Sequence, residues 1–132
     1  MNLIHTPVSL GELIDKITIL EIKSERIPDV AKLKNIKREL ELLESTWQKS
    51  EFSATDIVSE RTALKKVNEA LWVIEDDIRL KEGRGEFDDK FIELARAVYV
   101  TNDKRMAIKR QINDKLGSEI VEEKSYADYT RK

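Results

Sequence analysis

The sequence predicts an all-α fold, a bundle of about four helices that ends in a long antiparallel helical hairpin. Three observations carry that expectation. Apolar residues recur at three- and four-residue steps along most of the chain, the spacing of one helical face. Only four Gly and two Pro punctuate 132 residues. Hydrophobic residues make up 40% and charged residues 38% of the chain, the balance of long helices with one wet side. At this length one domain with one core is expected, spanning residues 1–132.

The first helix is expected over about 10–26. Ser9-Leu10-Gly11-Glu12 has the form of a capping box, in which a hydroxyl and a carboxylate satisfy the orphan amides of a first turn. Pro28-Asp29 breaks the pattern, and Asp29 caps a second helix over about 29–48, where Leu33, Ile36, Leu40, Leu43 and Trp47 form one apolar stripe. Ser50 to Thr55 reads as a loop, with Ser53 and Asp56 as capping residues. The third helix, about 55–82, has the seam Ile57, Leu64, Val67, Leu71, Ile74 and Ile78. Gly83-Arg84-Gly85 turns the chain into a fourth helix, about 88–116, closed by Gly117, and an irregular C-terminal tail follows.

A short turn between two long helices makes them antiparallel neighbours. If the turn centres near Gly85, facing residues have numbers that sum to about 170, to within a turn. Ile78 then meets Phe91 or Ile92, Leu71 meets Val98 or Tyr99, and Asn68 lies opposite Asn102, with Arg105 near Leu64. The apolar seam of the fourth helix is thus interrupted at Thr101, Asn102 and Arg105 before it resumes at Ile108 and Ile112. Charge follows the same axis. Arg61, Lys65, Lys66, Lys104, Arg105, Lys109 and Arg110 make one end of the hairpin basic, whereas acids prevail around the turn.

In the first helix, Leu10, Leu13, Ile14, Ile17 and Leu20 share one arc, and Glu21 falls inside it. A carboxylate there is costly unless paired, so Glu21 is expected as a buried polar partner of Arg105, the one cation on a seam position. Ile19 and Ile22 point elsewhere, which makes this helix the expected centre of the bundle. Two readings of the polar seam stay open. In one, Glu21, Asn68, Asn102 and Arg105 form a satisfied layer that sets helix register. In the other, Arg61, Arg105 and Lys109 line an open pocket for an anionic small molecule, oriented by the amides of Asn68 and Asn102.

Other chemistry finds little support. The chain has no Cys and one His, which excludes disulfides and thiolate metal sites. His5 has no nucleophile at motif spacing and is expected on the surface. Glu75-Asp76-Asp77 are consecutive on a helix and point in different directions, so they cannot converge on one magnesium ion. Glu41 and Glu44 with Glu86 and Asp89 mimic the paired acids of all-α nucleotide pyrophosphohydrolases, but the second pair falls at the interhelix turn. No metal and no cofactor are expected. A net charge of -2 and a basic cluster without interleaved aromatics argue against nucleic acid as partner. No apolar run reaches the roughly 20 residues of a membrane span, and no signal segment opens the chain. The expectation is a cytoplasmic domain.

Pro7-Val8-Ser9-Leu10-Gly11-Glu12-Leu13-Ile14-Asp15 with the rest of the first helix to Lys23, Asn68-Glu69-Ala70-Leu71-Trp72, Phe91 to Tyr99, Asn102-Asp103 and Glu122-Glu123-Lys124-Ser125-Tyr126 carry a resemblance over almost the full length. The chain resembles an uncharacterised family of small bacterial and phage proteins, a domain of unknown function. The resemblance implies a link to surface polysaccharide synthesis, since members occur near or fused to glycosyltransferase-like proteins, and it implies no activity. On Leu10, Ile14-Asp15 and Ile17 the first helix alone is similar to the opening helix of all-α chorismate mutases. Gly11 stands where that family places a substrate-binding Arg, so a mutase here would have to use Arg61, Arg105 and Lys109. The expected function is a non-catalytic protein-interaction or scaffold module with a protein partner or a second copy. The alternative is a binding domain or small enzyme for an anionic small molecule.

Overall fold

The computed structural model describes residues 2–131. Its first helix, α1 (Leu10–Arg26), opens where the Ser9 hydroxyl accepts a hydrogen bond from the Glu12 amide at 3.1 Å. The reciprocal half of the capping box does not form, because the Glu12 carboxylate turns to the Lys109 ammonium. Asp29 caps α2 (Val30–Lys49) by accepting from the Lys32 amide at 2.9 Å. A 3₁₀ turn at Glu51–Ala54 then delays α3 (Val58–Gly83), whose first amide is taken by the Asp56 carboxylate at 2.9 Å. The helix therefore begins later than the apolar pattern alone places it. Asp88 caps α4 (Asp89–Leu116) through the Phe91 amide.

Both long helices end in the same way. Gly85 has φ 67° and Gly117 φ 65°, the left-handed conformation that costs a residue without a Cβ least. Around each, the amide of the next residue reaches back five positions, Glu86 to the Lys81 carbonyl and Ser118 to the Asn113 carbonyl. The first closure makes the α3–α4 turn so short that the helices run back side by side.

The molecule is thus all helical among its described residues, a four-helix arrangement with a long antiparallel hairpin. Helix α1 sits at its centre and packs against α2, α3 and α4. Ile14, Ile17, Leu64 and Ile112 are fully buried between these elements, with Leu13, Trp47, Ile57 and Leu116 around them. Burial of such side chains contributes about 1.5–3 kcal/mol each.

The hairpin is longer than the helix that covers it. Arg26 at the end of α1 reaches Glu69 on α3 (3.7 Å), and α3 continues to Gly83. At a rise of 1.5 Å per residue the hairpin projects about 20 Å beyond α1. In this arm Leu94 is buried, while Ile74, Ile78, Phe91 and Val98 are only partly so and Val73, Leu80, Phe87 and Ile92 are exposed. Among the described residues no helix is long and apolar enough to cross a membrane.

Candidate functional site

The buried acid of α1 is Asp15. Gly11, Asp15, Thr18 and Ile22 follow one another at steps of four, three and four residues, the spacing of a helix seam, and all four are buried. This second face of α1 meets α3 and α4, while the Leu13, Ile14 and Ile17 face meets the rest of the core. Gly11 lets the two backbones approach. A Cβ built on it would lie 2.5 Å from the Lys109 carbonyl oxygen. The Gly11 amide donates to Asn113 Oδ1 at 2.7 Å and the Leu10 amide to the Ser118 hydroxyl at 3.2 Å, so the last turn of α4 and the residue just beyond its cap satisfy the first amides of α1.

Asp15 is completely buried. Its Oδ1 accepts from Arg105 Nε at 3.0 Å and from Asn68 Nδ2 at 2.9 Å, and its Oδ2 accepts from Arg105 Nη2. The Asn68 amide also donates to the Thr18 hydroxyl at 3.0 Å, which in turn donates to the Asp15 carbonyl at 2.8 Å. Such an arrangement meets the requirement that a buried charge be paired and fully hydrogen-bonded. The fork of two bonds to one carboxylate fixes both the rotation of α4 and its register on α1.

One turn further along α4, the Lys109 side chain is only 5% exposed, and its ammonium is shared by Glu12 (2.6 Å), Glu122 (3.3 Å) and Asp15 (3.8 Å). Burial pushes the Lys109 ammonium down, and these carboxylates more than offset it, so its net direction is upward. Arg105 is likewise held above its ordinary range, first by its bonds to Asp15. The Glu122 carboxyl is raised by burial and lowered further by Lys109, with a net downward direction.

Of the residues singled out from sequence, Asn68, Arg105 and Lys109 come together on Asp15. Asn102 shares with Asn68 and Arg105 the wall of a cleft of about 490 Å³ that is floored by Ile22, Leu71 and Trp72. Arg61 lies elsewhere. It bridges Glu44 (3.1 Å) and Glu21 (3.3 Å) at the junction of α1, α2 and α3. The expectation that Glu21 is the buried partner of Arg105 is therefore corrected: Glu21 is 29% exposed and belongs to Arg61. Its arc meets the rim where α2 and α3 approach, whereas the face bearing Asp15 turns inward. The seam-like spacing of Gly11, Asp15, Thr18 and Ile22 is the signal that marks Asp15 in the sequence.

A larger cleft of about 920 Å³ lies on the outer side of this layer, beneath the C-terminal tail. Asn102, Arg105, Met106 and Lys109 line it from α4, and Glu122, Tyr126 and Tyr129 from the tail. The tail has no regular secondary structure over 118–131. Glu122 holds it to Lys109, Glu123 to Arg110 at 3.3 Å, and Tyr129 donates to Asp103 while packing edge-on against Tyr99 at 5.0 Å.

Residues 4–130 match the model of a protein family described as a family of unknown function, DUF6165. The chain belongs to that family. No curated protein and no solved structure matches it. For this DUF6165 chain the reading of function therefore starts from the geometry: a saturated polar layer around Asp15, a tail-covered cleft beside it, and an arm with an open seam.

Proposed function

We propose that the chain is a non-catalytic protein-interaction module of the cytoplasm that assembles through the α3–α4 arm, with a second copy of itself as the partner. One observation carries this reading. Where α1 covers the hairpin, Leu64 and Ile112 are fully buried, whereas Ile74, Ile78, Phe91 and Val98 in the arm remain part-exposed. Two helices cannot close a seam between themselves, and two such arms side by side make a four-helix bundle that does. A two-fold arrangement satisfies both copies at once.

Charge supports the antiparallel form of that pairing. The arm carries Glu75, Asp76, Asp77, Glu82, Glu86, Asp88, Asp89 and Glu93 against Arg79, Lys81, Arg84, Lys90 and Arg96, an excess of acid, while Lys66 and Lys104 are exposed at the other end of the hairpin. An antiparallel pair sets each acidic arm beside the basic end of the other copy. The geometry does not favour an anion pocket built jointly from Arg61, Arg105 and Lys109, because Arg61 is held by Glu44 and Glu21 away from the other two cations. The lack of cysteine suits a reducing compartment. The resemblance described above supports a bacterial or phage setting linked to surface polysaccharide synthesis.

Sedimentation velocity across a concentration series tests the proposal. A dimer is expected that weakens at high salt, and Ile78→Lys is expected to run as a monomer with unchanged helical content. A wild-type chain that stays monomeric at every concentration sinks it.

A further inference from the structure

Lys109 is a buried ammonium whose third carboxylate comes from the tail. Glu12 and Asp15 sit on α1 and cannot move without unpacking it, but Glu122 sits on an irregular segment. Besides Glu122, this segment is fastened by Arg110 to Glu123, by Tyr129 to Asp103 and by the edge-on packing of Tyr129 against Tyr99, all at exposed residues. Exposed pairs of this kind contribute at most about 1 kcal/mol each. The tail can therefore be displaced at low cost, and its displacement opens the side of Lys109 that Glu122 occupies.

What would take that place is set by the lining. The cleft volume of about 920 Å³ falls within the range of about 300–1,000 Å³ typical of small-molecule sites. Arg105 spends Nε and Nη2 on Asp15, and among the described residues neither its Nη1 nor the Asn102 side-chain amide has a hydrogen-bond partner. Tyr99 and Met106, which stay on α4 when the tail moves, supply flat and polarizable walls, with the carboxylates of Glu12 and Asp103 also in the lining.

We infer that the cleft binds an aromatic carboxylate, whose carboxylate replaces that of Glu122 on Lys109 and meets Arg105 while its ring packs against Tyr99. Glu122 is then the internal competitor of the ligand. This site is separate from the arm, and its test does not depend on self-association.

Isothermal titration of the full chain with 4-hydroxybenzoate, acetate and phenol decides the matter. Removal of one charge-assisted bond to Lys109 is expected to make Glu122→Gln bind 4-hydroxybenzoate about tenfold more tightly than wild type. Glu123→Gln, which loosens the same tail without touching Lys109, is expected to raise the affinity by less than Glu122→Gln does. Tyr99→Leu in the Glu122→Gln background is expected to return it to the wild-type value or below, with acetate and phenol each weaker than the joined molecule. Three results overturn the inference: no binding of any probe to either protein, equal affinities of wild type and Glu122→Gln, or an equal gain in Glu123→Gln.

Discussion

Asp15 and Arg105, ninety residues apart in the chain, meet through two hydrogen bonds to one fully buried carboxylate. This pair joins the central helix to the C-terminal hairpin at the point where the apolar seam of α4 is interrupted. Its removal is felt mainly as the cost of the charge left behind.

Asp15→Ala leaves the Arg105 and Lys109 cations without their shared acid, and a loss of about 3–5 kcal/mol is expected. The double variant Asp15→Leu, Arg105→Met is expected to recover most of it, since a buried pair replaced as a unit strands no charge. Urea denaturation of the two variants and wild type gives the comparison. A loss below about 1 kcal/mol in Asp15→Ala contradicts this account.

Arg61→Ala behaves differently although Arg61 also bridges two acids. Its guanidinium and both carboxylates are about a quarter to a third exposed, and water takes over their solvation. A cost of about 1 kcal/mol or less is expected in the same urea series.

Two glycines give opposite signs. Gly11→Ala drives a Cβ against the Lys109 carbonyl oxygen on a backbone that cannot yield locally, so α1 and α4 are pushed apart at about 1–3 kcal/mol. Gly83 is the last residue of α3 and has nothing within 4 Å of an added Cβ. Gly83→Ala is expected to stabilise by about 0.4–1 kcal/mol through a less flexible unfolded chain. Thermal melts of the two variants are expected to move to either side of wild type.

The Lys109 ammonium contributes a pH dependence whose sign follows from its environment. Its folded value lies above the ordinary 10.5, so its contribution is complete below pH 10.5 and fades as pH rises through the folded value. Lys65, raised by its bond to Glu25, adds to the same limb. Urea midpoints measured from about pH 9 to about pH 11.5 are expected to fall in the upper part of that range, and to fall less steeply in Lys109→Met. A variant with an unchanged slope removes Lys109 as the cause.

The all-helical class and the hairpin were legible because their determinants are local. A three-and-four spacing of Leu33, Ile36, Leu40, Leu43 and Trp47 needs only the helical period, and Ser9, Asp29 and Gly117 act on amides and carbonyls of their own turns. The start of α3 was less legible. Asp56 and a 3₁₀ turn compete there with the apolar periodicity, and the hydrogen bond to the Val58 amide prevails.

Local spacing along the chain is thus enough to place the helical segments, most of their ends and the polar interruption of the hairpin seam at Asn68, Asn102 and Arg105. Which acid that layer closes on depends instead on how α1 crosses the hairpin. Asp15 and Glu21 lie on faces of α1 about 120° apart at 100° per residue, and both faces have neighbours. The crossing of α1 over α3 and α4, made close by Gly11, turns Asp15 inward and leaves Glu21 at the rim with Arg61. The partners of Lys109 were hidden for the same reason: Glu12 and Glu122 are separated from it by 97 and 13 residues, and no helical period links them.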